Sequence, residues 1–255
     1  MRFSFLDFDI YYEKYGTSKD NILILPGWGD TRSTFNNLIN VLKNNFTVYI
    51  LDYPGFGNSN FPNRDLDIYD YSGLIEEFIK SNKIDNPIII SHSFGGRISI
   101  ILSGLKKLPI KKMILIDAAG IKRKKKFKII VKQFIYKTLK KIGLILPAKI
   151  KKKYENILIN IFGSNDYKNL DPNIRKTFIK VINEDLTKYL ENINTSTLLI
   201  WGENDQDTPI EDGKLMNVKI EDSGLIVIPN SSHFPYLEYP YYINKIILEF
   251  LKTYI

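Results

Sequence analysis

The sequence predicts an α/β protein built on a doubly wound, mostly parallel sheet. Three observations lead there. Short runs rich in Ile, Leu or Val recur along the chain: Ile22–Leu25, Thr47–Leu51, Ile88–Ile90, Met113–Ile116, Thr197–Trp201 and Leu225–Ile228. Runs without polar alternation fit strands buried on both faces. Stretches of helical periodicity fill most of the gaps, at about 34–44, 67–81, 94–106, 209–217 and 240–252. Strand–helix alternation of this kind builds a parallel sheet with helices on its faces. Finally, 255 residues at 44% hydrophobic suffice for one large core.

The elements follow in order. Residues 2–15 alternate apolar and polar, which predicts an opening antiparallel pair. The first core strand runs into Leu25-Pro26-Gly27-Trp28-Gly29-Asp30, a Gly-rich loop. The second runs into Asp52-Tyr53-Pro54-Gly55-Phe56-Gly57-Asn58-Ser59, a tight loop read as structural. The third ends in Ser91-His92-Ser93-Phe94-Gly95-Gly96 and a helix, and the fourth ends at Asp117. The rhythm then breaks. About eighty residues to Ser196 show helical periodicity and no good strand. Within Lys126–Leu146, apolar residues at 127, 130, 131, 134, 135, 139, 142 and 145, with Thr138 among them, predict one face of an amphipathic helix, with Lys on the other. Pro147 and Pro172 punctuate the segment. We read 120–194 as a helical, Lys-rich insertion packed over a core of 1–119 and 195–255.

Composition excludes several classes. There is no Cys and there are only two His, so a thiol nucleophile is excluded, and a zinc site has little to build on. No metal and no cofactor is expected. Neither Gly-rich loop is a nucleotide signature: GxxxxGK[ST] is missing, and no GxGxxG opens a βαβ unit. Acids come too early for a signal peptide, and no apolar run reaches the roughly 18 residues that span a bilayer. The expected compartment is the cytoplasm, without a transmembrane segment. The net charge of +8 is uneven. Residues 122–153 hold fourteen Lys and Arg and no acid, so +14 sits there and the rest of the chain is at −6. A local excess points to an anionic surface, an acidic carrier protein or an anionic substrate at the insertion. Nucleic acid is not expected, since no nucleic-acid-binding fold is evident.

The chemistry centres on Ser93. A nucleophile on a tight strand-to-helix turn needs small residues two positions either side, here Ser91 and Gly95, because the backbone passes close to itself. The turn presents the hydroxyl and aims the Phe94 N–H at a developing oxyanion; the Trp28 N–H is the expected second donor. Ser needs a base. His92 is adjacent to Ser93 and would point elsewhere, so it is read as structural. His233, in the loop after the last strand, falls where the base should fall in the order Ser, acid, His. Asp205 is the expected acid, three residues after Gly202 and four before Pro209. Asp207, otherwise a helix N-cap, and Asp117 are its rivals.

These motifs closely resemble the α/β-hydrolase superfamily. Its usual His-Gly-x-Gly loop is Pro26-Gly27-Trp28-Gly29 here, with Pro in place of His. Its Asp-x-Pro-Gly-x-Gly-x-Ser loop matches Asp52 to Ser59, and its nucleophile elbow matches Ser91 to Gly95, with Ser for the first Gly. Its acid loop matches Gly202 to Pro209, and its His-x-Pro-x-x-Glu-x-Pro segment matches His233 to Pro240. The resemblance implies a cap at the insertion and a Ser93, Asp205, His233 triad. Ser at the elbow argues against the epoxide hydrolase and haloalkane dehalogenase branches, which carry Asp there. The expected function is hydrolysis of carboxylic esters with small or medium apolar acyl or aryl groups, through an acyl-enzyme. The alternatives are a C–C bond hydrolase of a diketone acid, an esterase acting on a carrier-bound acyl chain and, more remotely, a non-catalytic ligand-binding receptor.

Overall fold

In the computed structural model, eight strands form a single sheet. Residues 1–123, 135–136, 138–143, 147–162, 167–168 and 170–254 are described. The strands are β1 (Arg2–Phe5), β2 (Phe8–Tyr15), β3 (Asn21–Leu25), β4 (Thr47–Leu51), β5 (Ile88–His92), β6 (Lys112–Ile116), β7 (Thr197–Gly202) and β8 (Ser223–Ile228). Their order across the sheet is β1-β2-β4-β3-β5-β6-β7-β8. The predicted opening pair is present: β1 runs antiparallel to β2, with Phe3 opposite Ile10. β2 then lies antiparallel on β4. From β4 to β8 every pairing is parallel.

The helices are α1 (Asn36–Leu42), α2 (Ile68–Ser81), α3 (Phe94–Gly104), α4 (Ala148–Phe162), α5 (Arg175–Asn183), α6 (Ile210–Lys219), α7 (Pro235–Glu238) and α8 (Pro240–Leu251). The two-residue side-chain period of a strand sorts each apolar run onto both faces. Ile22, Ile24, Ile88, Ile90, Ile114 and Ile200 pack with Leu38 and Leu42 of α1 and with Ile243 and Ile247 of α8. Leu23, Leu25, Ile89, Met113, Leu115 and Leu199 pack with Leu74 and Phe78 of α2, Ile98 of α3 and Met216 of α6. This is why the runs do not alternate in polarity. Asp67 caps the start of α2 and closes a capping box with Asp70.

Between β6 and β7 the described residues contain helices and 3-10 turns and no strand. Residues 135–136 and 138–143 are helical. The rest of the predicted 126–146 helix, with Lys124 and Lys125, lies outside the described residues. The last part of the insertion is tied to the core. Buried Arg97 of α3 donates to the carbonyls of Glu184 (2.9 Å) and Ile182 (3.4 Å). The Thr177 hydroxyl accepts from Leu66 N–H at 2.9 Å. Among the described residues, no helix is long and apolar enough to cross a membrane.

Candidate active site

Ser93 sits at φ 47° and ψ −109° between β5 and α3. An L-residue enters that region only when its surroundings force it. The forcing contacts are local. Ser93 N–H donates to Ile116 O at 3.1 Å, and Gly95 N–H donates to Pro26 O at 3.0 Å. A Cβ on Gly95 would lie 2.1 Å from Leu25 O, and one on Gly96 would lie 2.4 Å from Ala118 Cβ. The helix can start this close to β3 and β6 only without side chains there. Ser91 is fully buried on β5.

His233 and Asp205 arrive from the loops after β8 and β7. His233 Nδ1 lies 2.7 Å from Asp205 Oδ2. Asp205 is held from several sides: Asp207 N–H and Thr208 N–H donate to Oδ1 at 2.8 and 3.1 Å, and the Thr208 hydroxyl donates to Oδ2 at 2.6 Å. Burial by itself would raise this carboxyl. The hydrogen bonds from His233 and Thr208 outweigh it and bring the pKa down to about 2. An ionised Asp205 fixes the imidazole as the Nδ1–H tautomer, which leaves Nε2 as the proton acceptor. The His loop is braced by Glu238 of α7, which accepts from Ser231 Oγ at 3.0 Å and Ser232 N–H at 2.9 Å, and from the Ser232 hydroxyl.

The two rival acids have other places. Asp207 is exposed, and its N–H serves Asp205. It does not cap α6, whose N-cap is Pro209. Asp117, at φ 42° after β6, is fully buried. Its Oδ1 accepts from Gly202 N–H at 2.9 Å, and its Oδ2 has no partner. Burial raises its pKa, the Gly202 bond opposes this, and the neighbouring Asp205 charge adds to it; the result is about 10. A neutral Asp117 beside an ionised Asp205 divides the two roles. The linkage sign follows. A folded-state pKa above the unfolded value means stability that is complete below about pH 4 and is lost as pH rises toward 10. Asp117→Asn removes that loss. It should raise Tm at pH 8 by at least about 2 °C, the shift that 1 kcal/mol gives at this chain length, and the gain should vanish near pH 4. Ester turnover should fall less than about tenfold. Melting curves at both pH values check this; no gain at pH 8 would mean an ionised Asp117.

His92 is buried, and it contacts His233. Its Nε2 lies 2.8 Å from the carbonyl of His233, and its Nδ1 lies 3.3 Å from Asp30 and 3.5 Å from the Tyr236 hydroxyl. Burial lowers its pKa and so favours the neutral ring, with Nε2–H donating to His233. The sequence offered no signal for this contact beyond the adjacency of His92 to Ser93.

Ser93, His233, Trp28 and Phe94 line one cavity of about 1250 Å³. The Trp28 and Phe94 rings meet edge to face at 5.0 Å, and Phe178 of α5 approaches Trp28 at 5.3 Å. Gly55 and Phe56 line the cavity too, so the Asp52–Ser59 loop is both structural and a wall. Asp52 organises that loop by accepting from Asn58 N–H at 2.9 Å, while its carbonyl accepts from Ser59 Oγ at 2.6 Å. Among the described residues, Asp117, Asp205 and His233 form one group whose ligand atoms lie within 4.8 Å of one another. A cation there would have to break the His233–Asp205 bond.

Known proteins share this architecture. A family model described as alpha/beta hydrolase fold matches residues 20–140. The chain is 28% identical over 265 residues to a pimeloyl-[acyl-carrier protein] methyl ester esterase of Wigglesworthia glossinidia brevipalpis, covering 96% of this chain and 98% of that one. It is 25% identical over 273 residues to 2-hydroxy-6-oxononadienedioate/2-hydroxy-6-oxononatrienedioate hydrolase 1 of Pseudomonas putida, covering 96% and 93%. Among solved structures, the enol-lactonase of Burkholderia xenovorans LB400 superposes with a TM-score of 0.77 at 17% identity, covering 99% of this chain and 100% of that one. With the sheet order, the family match and these whole-length relatives together, the chain has the α/β-hydrolase fold and is a hydrolase.

Proposed function

We propose that this hydrolase cleaves carboxylic esters with a Ser93, His233, Asp205 triad. The observation that carries the reading is the His233–Asp205 bond of 2.7 Å, with His233 and a Ser on a strained turn lining one cavity that has an aromatic wall. Ser93 Oγ attacks the acyl carbon while His233 Nε2 takes its proton, and the tetrahedral oxyanion is held by the Phe94 and Trp28 N–H groups. His233 then returns the proton to the leaving alcohol, and water repeats the sequence on the acyl-enzyme. Phe56, Phe94, Phe178 and Ile174 line the cavity and suit an apolar acyl or aryl group. Residues 120–194 act as the cap over it.

The deciding experiment is a panel of nitrophenyl esters from acetate to longer chains, with a diketone acid and a methyl ester on a carrier protein included. Ester turnover should dominate, and a fluorophosphonate should label Ser93 and no other Ser. Cleavage of the diketone acid without ester turnover would move the chain to C–C hydrolysis, the activity in the name of the Pseudomonas putida relative. Preference for the carrier-bound ester by more than about a hundredfold would place it with the Wigglesworthia relative's activity.

A further inference from the structure

On the described part of the insertion, Ile135, Ile142, Ile150, Ile157 and Ile161 each keep between 43% and 59% of their surface exposed. On α4 the last three are spaced seven and eleven residues from the first. At 3.6 residues per turn these positions return to within about 20° of one line. The packed side of α4 lies next to the stripe, with Tyr154 about 40° and Leu158 about 80° from it. Leu158 is buried, and the Tyr154 hydroxyl donates to Leu139 O at 3.0 Å, which joins α4 to the 138–143 helical stretch. The isoleucine stripe borders that packed side and stays exposed on a helix already seated on its neighbour. Lys153 is exposed about 60° from the stripe, and Lys141 is exposed about 100° from Ile142 on its own helical stretch. Glu155, the one acid of α4, lies about 140° away from the stripe. Tyr136 meets Phe162 of α4 at 5.8 Å and also lines the cavity, so this part of the insertion reaches the site.

A surface that displays isoleucines among cations and keeps its acid off the stripe matches an interface with an acyl layer beneath and anionic headgroups around it. We infer that α4 and the described residues 135–136 and 138–143 dock the protein on an anionic lipid bilayer, with Ile150, Ile157 and Ile161 in the acyl boundary and Lys141 and Lys153 at the headgroups. The isoleucines decide against an acidic carrier protein as occupant. Charge alone would bring a carrier, and apolar side chains at this exposure add affinity only where they leave water.

Co-sedimentation of the full chain with vesicles tests this. Vesicles of phosphatidylglycerol and phosphatidylcholine are compared with phosphatidylcholine alone at low and high salt. Wild type should sediment with the anionic vesicles. Ile157→Ser with Ile161→Ser should weaken partitioning about tenfold or more. Lys141→Gln with Lys153→Gln should weaken it by about fivefold per charge. Unchanged melting curves and unchanged turnover of a soluble ester show that the variants are folded. Failure of wild type to sediment, or sedimentation unaffected by the isoleucine changes, would overturn the proposal. So would wild type binding an acidic acyl carrier protein while leaving the vesicles alone. Binding is read without substrate, so the outcome does not depend on the proposed ester chemistry.

Discussion

Ser93→Ala is expected to lower ester turnover by roughly 10³- to 10⁶-fold, the range for deleting a nucleophile of this type. The substitution removes one oxygen. The strained backbone at φ 47° remains, because it is set by Gly95 N–H on Pro26 O and Ser93 N–H on Ile116 O. Alanine is no larger than Ser, so the turn keeps its contacts and Tm should hold. What turnover survives would come from the Phe94 and Trp28 N–H groups and from binding. The measurement is kcat/KM on nitrophenyl butyrate beside a melting curve. A folded variant retaining more than a tenth of the wild-type rate would remove Ser93 from the mechanism.

Asp205→Asn is expected to lower kcat by about 10⁴-fold. The Asp205 carboxylate accepts from His233 Nδ1–H and from the Thr208 hydroxyl on the same oxygen. An Asn amide presents either an N–H₂, which would turn the imidazole to the Nε2–H tautomer, or a carbonyl that no longer stabilises the imidazolium. Either way Nε2 is the poorer base. The stability effect has a defined sign. With a folded-state pKa of about 2, ionised Asp205 contributes stability above about pH 4, and that contribution is lost as pH falls through about 2. The destabilisation by Asn should therefore be larger at pH 7 than at pH 3. Crippled turnover in Asp117→Asn with near-normal turnover in Asp205→Asn would exchange the two acids.

The sheet was legible because its strands are buried on both faces, so burial alone wrote them into the sequence. All six apolar runs are core strands to within two residues, and β8 shows why edges are softer: it alternates in exposure. The helix after Ser93 was legible because a close approach demanded Gly95 and Gly96. Short-range polar bracing was not. Thr208 on Asp205, Glu238 on Ser231 and Ser232, and His92 on the His233 carbonyl are contacts between common polar residues whose pairing depends on loop geometry. Helix α7 was missed for a related reason. Four residues carry too little periodicity, and its start at Pro235 is legible only once His233 has been placed. For the charge run at 122–153, the sequence marks sign and density, and the exposed isoleucines of α4 emerge only from packing.

The chain leaves the sheet at β6 and re-enters at β7, and these two strands are hydrogen-bonded neighbours. An excursion that starts and ends on adjacent strands imposes no register of its own. Met113 N–H donates to Ser196 O and Asp117 N–H to Ile200 O, at 3.0 and 2.9 Å, so both ends are stitched at the sheet itself. Lengthening or replacing the intervening polypeptide then changes chiefly the closure entropy of a loop, about 0.6 kcal/mol for each doubling. A scaffold connected in this way can accept a different excursion, with the ends of its strands untouched, provided the graft keeps a carbonyl pair where Arg97 now finds Ile182 and Glu184.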